Sequence, residues 1–133
     1  MPYLRVRIAT LDNKVPASEI AQKLTSLTVS DLNKVTDVDA VDLQYVDPQT
    51  WFIGGKSLTE LNETSFFIEI KITESTNSRD QKARYIKDVF NAMSKWFENI
   101  STASYVVLQD VAADSWGYGG KTQEYRYISQ DNS

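Results

Sequence analysis

The stretch "YVVLQDVAADSWGYGG" (Tyr105–Gly120) runs an alternating segment into a tryptophan and a Gly-Gly pair, and "AVDLQYVDPQTWFIGG" (Ala40–Gly55) has the same shape. The two tryptophans, Trp51 and Trp116, stand 65 residues apart in a chain of 133, so the chain reads as doubled. All five glycines lie in "WFIGG" and "WGYGG", which confines glycine's backbone freedom to two equivalent turns.

Working outward, each half opens on a second alternating segment. In "YLRVRIA" (Tyr3–Ala9) Leu4, Val6 and Ile8 alternate with Tyr3, Arg5 and Arg7; in "FFIEIKI" (Phe66–Ile72) Phe66, Ile68, Ile70 and Ile72 alternate with Phe67, Glu69 and Lys71. A period of two over this length predicts strands with one apolar and one polar face. A helix is expected between the two strands of each half. In the first, Pro16 suits a first helical position, and Ile20, Leu24, Leu27, Leu32 and Val35 form an imperfect apolar stripe. In the second, Ser78 and Gln81 have capping-box spacing, and Ile86, Val89, Phe90, Met93 and Phe97 form a cleaner one. Periodicity assigns these stripes to the core rather than to a cofactor.

Strands joined by a helix on one face run parallel with a right-handed crossover. The expectation is a single α+β two-layer domain over residues 1–133, built from two β-α-β units at about 1–60 and 61–133. Four strands would lie under two helices, and "EYRYI" (Glu124–Ile128) reads as a short terminal strand. The uncovered sheet face carries Arg5, Arg7, Asp42, Gln44, Glu69, Lys71, Tyr105, Val107 and Gln109. Solvent exposure accounts for this mixture; so does closure of several sheets into an oligomeric barrel, which would also protect the open edges.

Composition narrows the chemistry. With 41% hydrophobic and 24% charged residues the chain is globular, and no apolar run approaches the ~20 residues of a membrane span. A net charge of −4 without a basic run argues against nucleic acid. The absence of a signal-like start and of cysteine leads to the expectation of a cytoplasmic protein. With no histidine and no cysteine, Ser-His-Asp and Cys-His nucleophilic sites and His-ligated zinc are excluded. A remaining group that titrates near neutrality is an α-amino group, at ~7.7–8.0 when unperturbed. If Met1 is removed, Pro2 becomes a chain terminus with a secondary amine, whose pKa burial would lower. The alternative is a strand-starting proline without chemistry.

Pro2 behind the initiator methionine, the two strand-helix-strand units, "ITESTNSRDQK" (Ile72–Lys82) and "LQDVAADSWGYGG" (Leu108–Gly120) together resemble the tautomerase superfamily. That group includes 4-oxalocrotonate tautomerase, macrophage migration inhibitory factor, malonate semialdehyde decarboxylase and cis-3-chloroacrylic acid dehalogenase. The doubled length resembles its fused members, which implies a homotrimer around a barrel. The resemblance implies that Pro2 acts as general base in moving a proton within a small enol or keto acid, or as general acid in a lyase, hydratase or dehalogenase. No cofactor or metal is implied, and the partner is a small carboxylic acid. The position matching Pro2 in the second unit is Phe66, which lies inside the chain, so one site per chain is expected.

Other family positions transfer less directly. Trp51 and Trp116 match an aromatic before the Gly-Gly turn, and Trp116 is expected as a pocket wall. A family arginine on the returning strand falls at Ala40 and at Tyr105. Tyr105 is either a half-buried strand aromatic or a hydrogen-bond donor to an enolate oxygen. The loop arginine falls near Lys14 in the first unit and at Asn77, beside Arg79, in the second. Lys14 and Arg79 read as solvated charges or as partners of a substrate carboxylate, a lysine offering a point charge where arginine offers a fork. Asp37 and Asp39 read as a solvated loop. The leading expectation is a cofactor-independent isomerase with Pro2 as base; the alternatives are the acid-type reactions above and a noncatalytic trimeric binding module.

Overall fold

The computed structural model describes residues 2–12 and 15–129, with Asp37 by its backbone alone. The first unit contains β1 (Tyr3–Ala9), α1 (Ala17–Leu32), β2 (Ala40–Val46), a hairpin of β3 (Phe52–Ile53) and β4 (Lys56–Ser57), and the single turn α2 (Leu58–Leu61). The second repeats it: β5 (Ser65–Thr73), α3 (Arg79–Trp96), β6 (Tyr105–Val111), β7 (Gly117–Tyr118), β8 (Lys121–Thr122) and α4 (Gln123–Ser129). The four long strands form one sheet in the order β2-β1-β5-β6. The pairs β1–β2 and β5–β6 are parallel and bridged by a helix, and the units join through antiparallel β1–β5. The expected α+β two-layer architecture is present.

Alternation builds the core. Leu4, Val6 and Ile8 of β1 and Phe66, Ile68, Ile70 and Ile72 of β5 are fully buried on the helix side. They pack with Ile20, Leu24, Leu27 and Leu32 of α1 and with Tyr85, Val89, Ala92 and Met93 of α3. Each such side chain contributes roughly 1.5–3 kcal/mol by leaving water, so the inner strand pair holds the two units together.

The expected capping box is formed: Ser78 Oγ accepts from the Gln81 N–H at 3.1 Å, and Gln81 Oε1 accepts from the Ser78 N–H at 2.9 Å. Val89, Phe90, Met93 and Phe97 of the expected α3 stripe face the core, and Ile86 alone of the five does not. Ile86 is 41% exposed and Tyr85 is fully buried. Neighbouring residues on a helix point ~100° apart, so a stripe that runs through Val89, Ala92 and Met93 takes Tyr85 and turns Ile86 outward. Val35 is exposed because α1 stops before it: Asn33 takes the left-handed conformation (φ 58°), and the Lys34 N–H bonds the Thr28 carbonyl at 3.0 Å. Pro16 caps α1 from outside, one place earlier than the expected first helical position.

The expected terminal strand at Glu124–Ile128 is instead helix α4. Thr122 Oγ1 accepts from the Tyr125 N–H at 2.9 Å and starts the helix directly after the hairpin. Ser57 does the same for α2 through the Glu60 N–H at 3.1 Å. The repeat therefore includes a short capped helix after each Gly-Gly turn.

On the uncovered face of the sheet, Arg5 stands in register between Asp42 and Glu69. Lys71 lies 3.9 Å from Glu69 and donates to Gln109, and Tyr3 donates to Asp42 at 2.6 Å. Tyr105 and Val107 on the β6 edge remain exposed.

Candidate active site

Pro2 is buried and precedes β1 by one residue, and its carbonyl accepts from the Ala40 N–H at 3.4 Å. Tyr3 pairs with Lys71 across β1 and β5, so the next place in the register puts Pro2 opposite Ile72. The parallel pairs Tyr3–Ala40 and Phe67–Tyr105 hold the same place in the two units, which sets Pro2 equivalent to Phe66, itself fully buried.

The topology decides what else meets Pro2. Because β1 and β5 are antiparallel, the start of β1 lies at the end of β5 and hence at the end of β6. The second hairpin is carried to this end. Trp116 is half-buried there, and its indole N–H donates to Thr73 Oγ1 at 3.3 Å, one residue past the position facing Pro2. Arg79 opens α3 after the turn that follows β5, so it belongs to the same end, exposed to solvent.

Two sequence candidates lie at the opposite end within one chain. Trp51 follows β2 and sits under Arg7, whose guanidinium is 5.8 Å from its ring centre. Tyr105 pairs with Phe67, four residues along β5 from the partner of Tyr3, which is ~13 Å of strand. It is 62% exposed. Lys14 lies outside the described residues.

The structure adds a cation that sequence reasoning missed. Lys34 follows the left-handed Asn33 that ends α1, and that turn aims it back across the helix end toward the β5–α3 connection. Its ammonium donates to Thr76 Oγ1 at 2.9 Å, and Asn77 Nδ2 donates to the Leu32 carbonyl at 2.9 Å, so the α1 terminus and the β5–α3 turn are tied twice. Lys34 is half-buried; burial pushes its pKa below the ordinary lysine value, while Asp39 and Asp110 pull it back up. Asp110 is itself paired with Lys82 at 2.6 Å. The available signal was the Leu-Asn-Lys ending of the α1 stripe, since asparagine is among the few residues that enter the left-handed region readily.

Asp39 departs from the solvated loop expected of it. It is half-buried beside Ala40, the residue that bonds the Pro2 carbonyl, and Thr28 Oγ1 lies 2.6 Å from its Oδ2. Burial raises its pKa above the usual carboxylate range, opposed by the Thr28 hydrogen bond and by Lys34. The side chain of Asp37 is outside the described residues. Among the described residues no group of three or more His, Cys, Asp and Glu side chains could hold a metal, and no helix is long and apolar enough to cross a membrane.

Pro2, buried at one end of a two-unit α+β sheet, shares that end with an aromatic and a half-buried cation, and comparison with known proteins shows what this arrangement is similar to. Residues 67–125 match the family model described as tautomerase enzyme. The whole chain is similar in structure to native fused 4-OT, with a TM-score of 0.79 at 19% identity over 92% of this chain and 97% of that one. A wild-type fused 4-OT solved as a symmetric trimer gives 0.73 at 17% identity over 92% and 96%. A member of the cis-3-chloroacrylic acid dehalogenase family gives 0.69 at 13% over 94% and 90%. A sequence search among curated proteins finds no match. The tautomerase match thus falls on the second unit, and the chain as a whole has the fold of the solved fused 4-OT structures.

Proposed function

We propose that the protein is a cofactor-independent isomerase that moves a proton within a small enol or keto acid, with the Pro2 amine as general base once Met1 is removed. The observation that carries this reading is the burial of Pro2 at the end of the sheet that also holds Trp116 and Lys34. Burial disfavours an ammonium and keeps an amine available to accept a proton near neutrality. The amine takes a proton from the enol oxygen or the acidic carbon and returns it to the other site. Lys34 holds the substrate carboxylate, whose charge offsets the desolvation of the ammonium. Trp116 walls the pocket and keeps water from the conjugated intermediate.

The solved relatives that are trimers support a homotrimer here, in which the β2 and β6 edges are covered. Trp51 and Tyr105, which one chain carries away from its own Pro2, would then be available to the site of a neighbouring copy.

One observation favours a second reading. A carboxylate beside an amine favours the ammonium form, and Asp39 is placed to supply one, which suits an acid-type lyase, hydratase or dehalogenase. The experiment uses protein confirmed by mass spectrometry to start at Pro2, incubated in heavy water with a panel of enol and keto acids. Deuterium incorporation that falls ~10²–10⁴-fold in Pro2→Ala is expected for the base. No exchange by the wild type, or full activity in the variant, rejects it, and a terminal amine titrating well above neutrality selects the acid reading. Binding of these acids without exchange or turnover would leave a noncatalytic module.

A further inference from the structure

Asp39 satisfies only one of its two oxygens. Thr28 Oγ1 on α1 lies 2.6 Å from Oδ2, while among the described residues Oδ1 is buried without a hydrogen-bond partner. Buried polar atoms in folded chains are paired almost without exception, so this oxygen marks a place where a donor belongs.

The β1–β2 ladder identifies the donor. Tyr3 pairs with Ala40 in parallel register, and the place before it sets Pro2 against Asp39 on strands ~4.8 Å apart. The Pro2 carbonyl accepts from the Ala40 N–H at 3.4 Å. On an extended residue the nitrogen and the carbonyl point to the same side of the chain, so the Pro2 nitrogen also faces β2. Side chains alternate along both strands, and Pro2 and Asp39 are in phase with Leu4 and Val41, which turn toward the helices. Both therefore lie on the helix side, where Thr28 meets the carboxyl. While Met1 is attached, the Pro2 nitrogen is an amide with no hydrogen to give. Removing Met1 creates an N–H at this place, beside the unpaired Oδ1.

Thr28 suits either proton state of Asp39. It is 0% exposed, and its Oγ1 lies 2.7 Å from the Thr25 carbonyl as well as 2.6 Å from Asp39 Oδ2. An ionised Asp39 accepts the Thr28 hydrogen; a protonated one donates to Thr28, which turns its own hydrogen to Thr25. The carboxyl keeps its place in both cases. Asp39 also lines a surface groove between α1 and β2 with Gln22, Thr25, Thr36 and Val41, so it stands between solvent and the buried Pro2.

We propose that Asp39 Oδ1 accepts a hydrogen bond from the Pro2 amine once Met1 is removed, and that Thr28 is the positioning residue that holds the carboxyl there. The proposal deepens the reading of Pro2 as the reacting amine and rests on it for its catalytic meaning. Burial of Pro2 favours the neutral amine and an ionised Asp39 favours the ammonium, so this contact decides how far the amine works as base or as acid. The other titratable groups facing Asp39 are Lys34 beyond α1, which Asp110 of β6 also faces, and the Tyr85 hydroxyl of α3.

The test is a nitrogen NMR titration of full-length protein labelled at proline and confirmed by mass spectrometry to start at Pro2. Pro16 and Pro48 are amides, so the Pro2 signal alone titrates. Asp39→Asn keeps the shape and removes the charge, and the amine midpoint should fall by about one pH unit or more. Thr28→Val frees the carboxyl and weakens its ionised form, so the midpoint should fall by about half a unit, and Thr28→Ser should restore it. A Thr28 that only packs the core would lose stability in Thr28→Val and leave the amine unmoved, which overturns its role. An unmoved midpoint in Asp39→Asn overturns the whole proposal and decides it should Thr28→Val fail to fold. A shifted midpoint in protein that exchanges no substrate protons keeps the contact and removes only the reading of Pro2 as base.

Discussion

Lys34 Nζ donates to Thr76 Oγ1 at 2.9 Å, joining the end of α1 to the turn between β5 and α3. Thr76 passes its own hydrogen to the Thr73 carbonyl at 2.6 Å, and Thr73 in turn accepts from Trp116 at 3.3 Å. One polar chain therefore ties the cation to the aromatic at the end of the sheet where β1 begins.

If Lys34 holds the substrate carboxylate, Lys34→Ala removes a charged hydrogen bond worth ~1.5–3 kcal/mol. KM should rise about 10- to 100-fold with kcat changed much less, because the contact is made to bound substrate and transition state alike. Steady-state kinetics on the acid with the highest turnover checks this. An unchanged KM would remove Lys34 from the site, and Arg79 would be the next residue to substitute.

The Asp31–Asp88 pair sets a pH dependence of stability. Burial and the facing Asp88 carboxyl raise the Asp31 pKa from the ordinary 3.8 to about 6. The native state thus holds a proton that the unfolded chain releases from about pH 4 upward. Asp31 favours folding most fully in acid, and that contribution is lost as pH rises through about 6. At pH 7.5 the ionised Asp31 carboxylate costs on the order of 1–2 kcal/mol, allowing for solvent screening. Asp31→Asn should stabilise the protein by about that amount at pH 7.5 and by much less at pH 4.5, as read by urea unfolding. Equal effects at both pH values would show that Asp31 carries no raised pKa.

The long strands were legible because Leu4–Val6–Ile8 and Ile68–Ile70–Ile72 alternate without interruption, and a one-residue slip would expose every one of them. The doubling was legible because Trp51 and Trp116 lead into the only glycines. What failed was local chemistry read without its neighbours. Tyr125 and Tyr127 alternate like a strand, yet Thr122 caps a helix there, and the matching Ser57 ahead of α2 carried the same signal. Asp39 lies in a polar run, and only the packing of Thr28 above it makes it a half-buried acid. Tyr85 and Ile86 compete for one core position, and the actual phase of α3 is set by where Ser78 starts the helix.

That phase is open to test. Ile68 is fully buried on β5, and Ile68→Ala should cost ~2–5 kcal/mol through lost burial and a residual cavity. Ile86, 41% exposed on α3, should change stability by no more than ~0.5 kcal/mol when replaced by alanine. Chemical unfolding of the two variants side by side measures this. A large loss from Ile86→Ala would return Ile86 to the core position read from the sequence and reject the exposure seen here.

The second hairpin offers the sharpest steric prediction, because Gly117 and Phe52 occupy equivalent places with opposite demands. A Cβ on Gly117 would lie 2.0 Å from the Lys121 carbonyl oxygen, which is backbone and cannot step aside without opening the β7–β8 pair. At Gly54 a Cβ meets nothing, and the cost of alanine there is the ~1–2 kcal/mol strain of its positive φ of 61°. Gly117→Ala should therefore cost a further ~1–3 kcal/mol and displace Trp116 from Thr73. Its indole N–H resonance should move while that of Trp51 stays, and turnover should fall more than in Gly54→Ala if Trp116 walls the pocket. A Trp116 resonance that keeps its wild-type position would mean that the hairpin absorbs the methyl group without passing the displacement to the site.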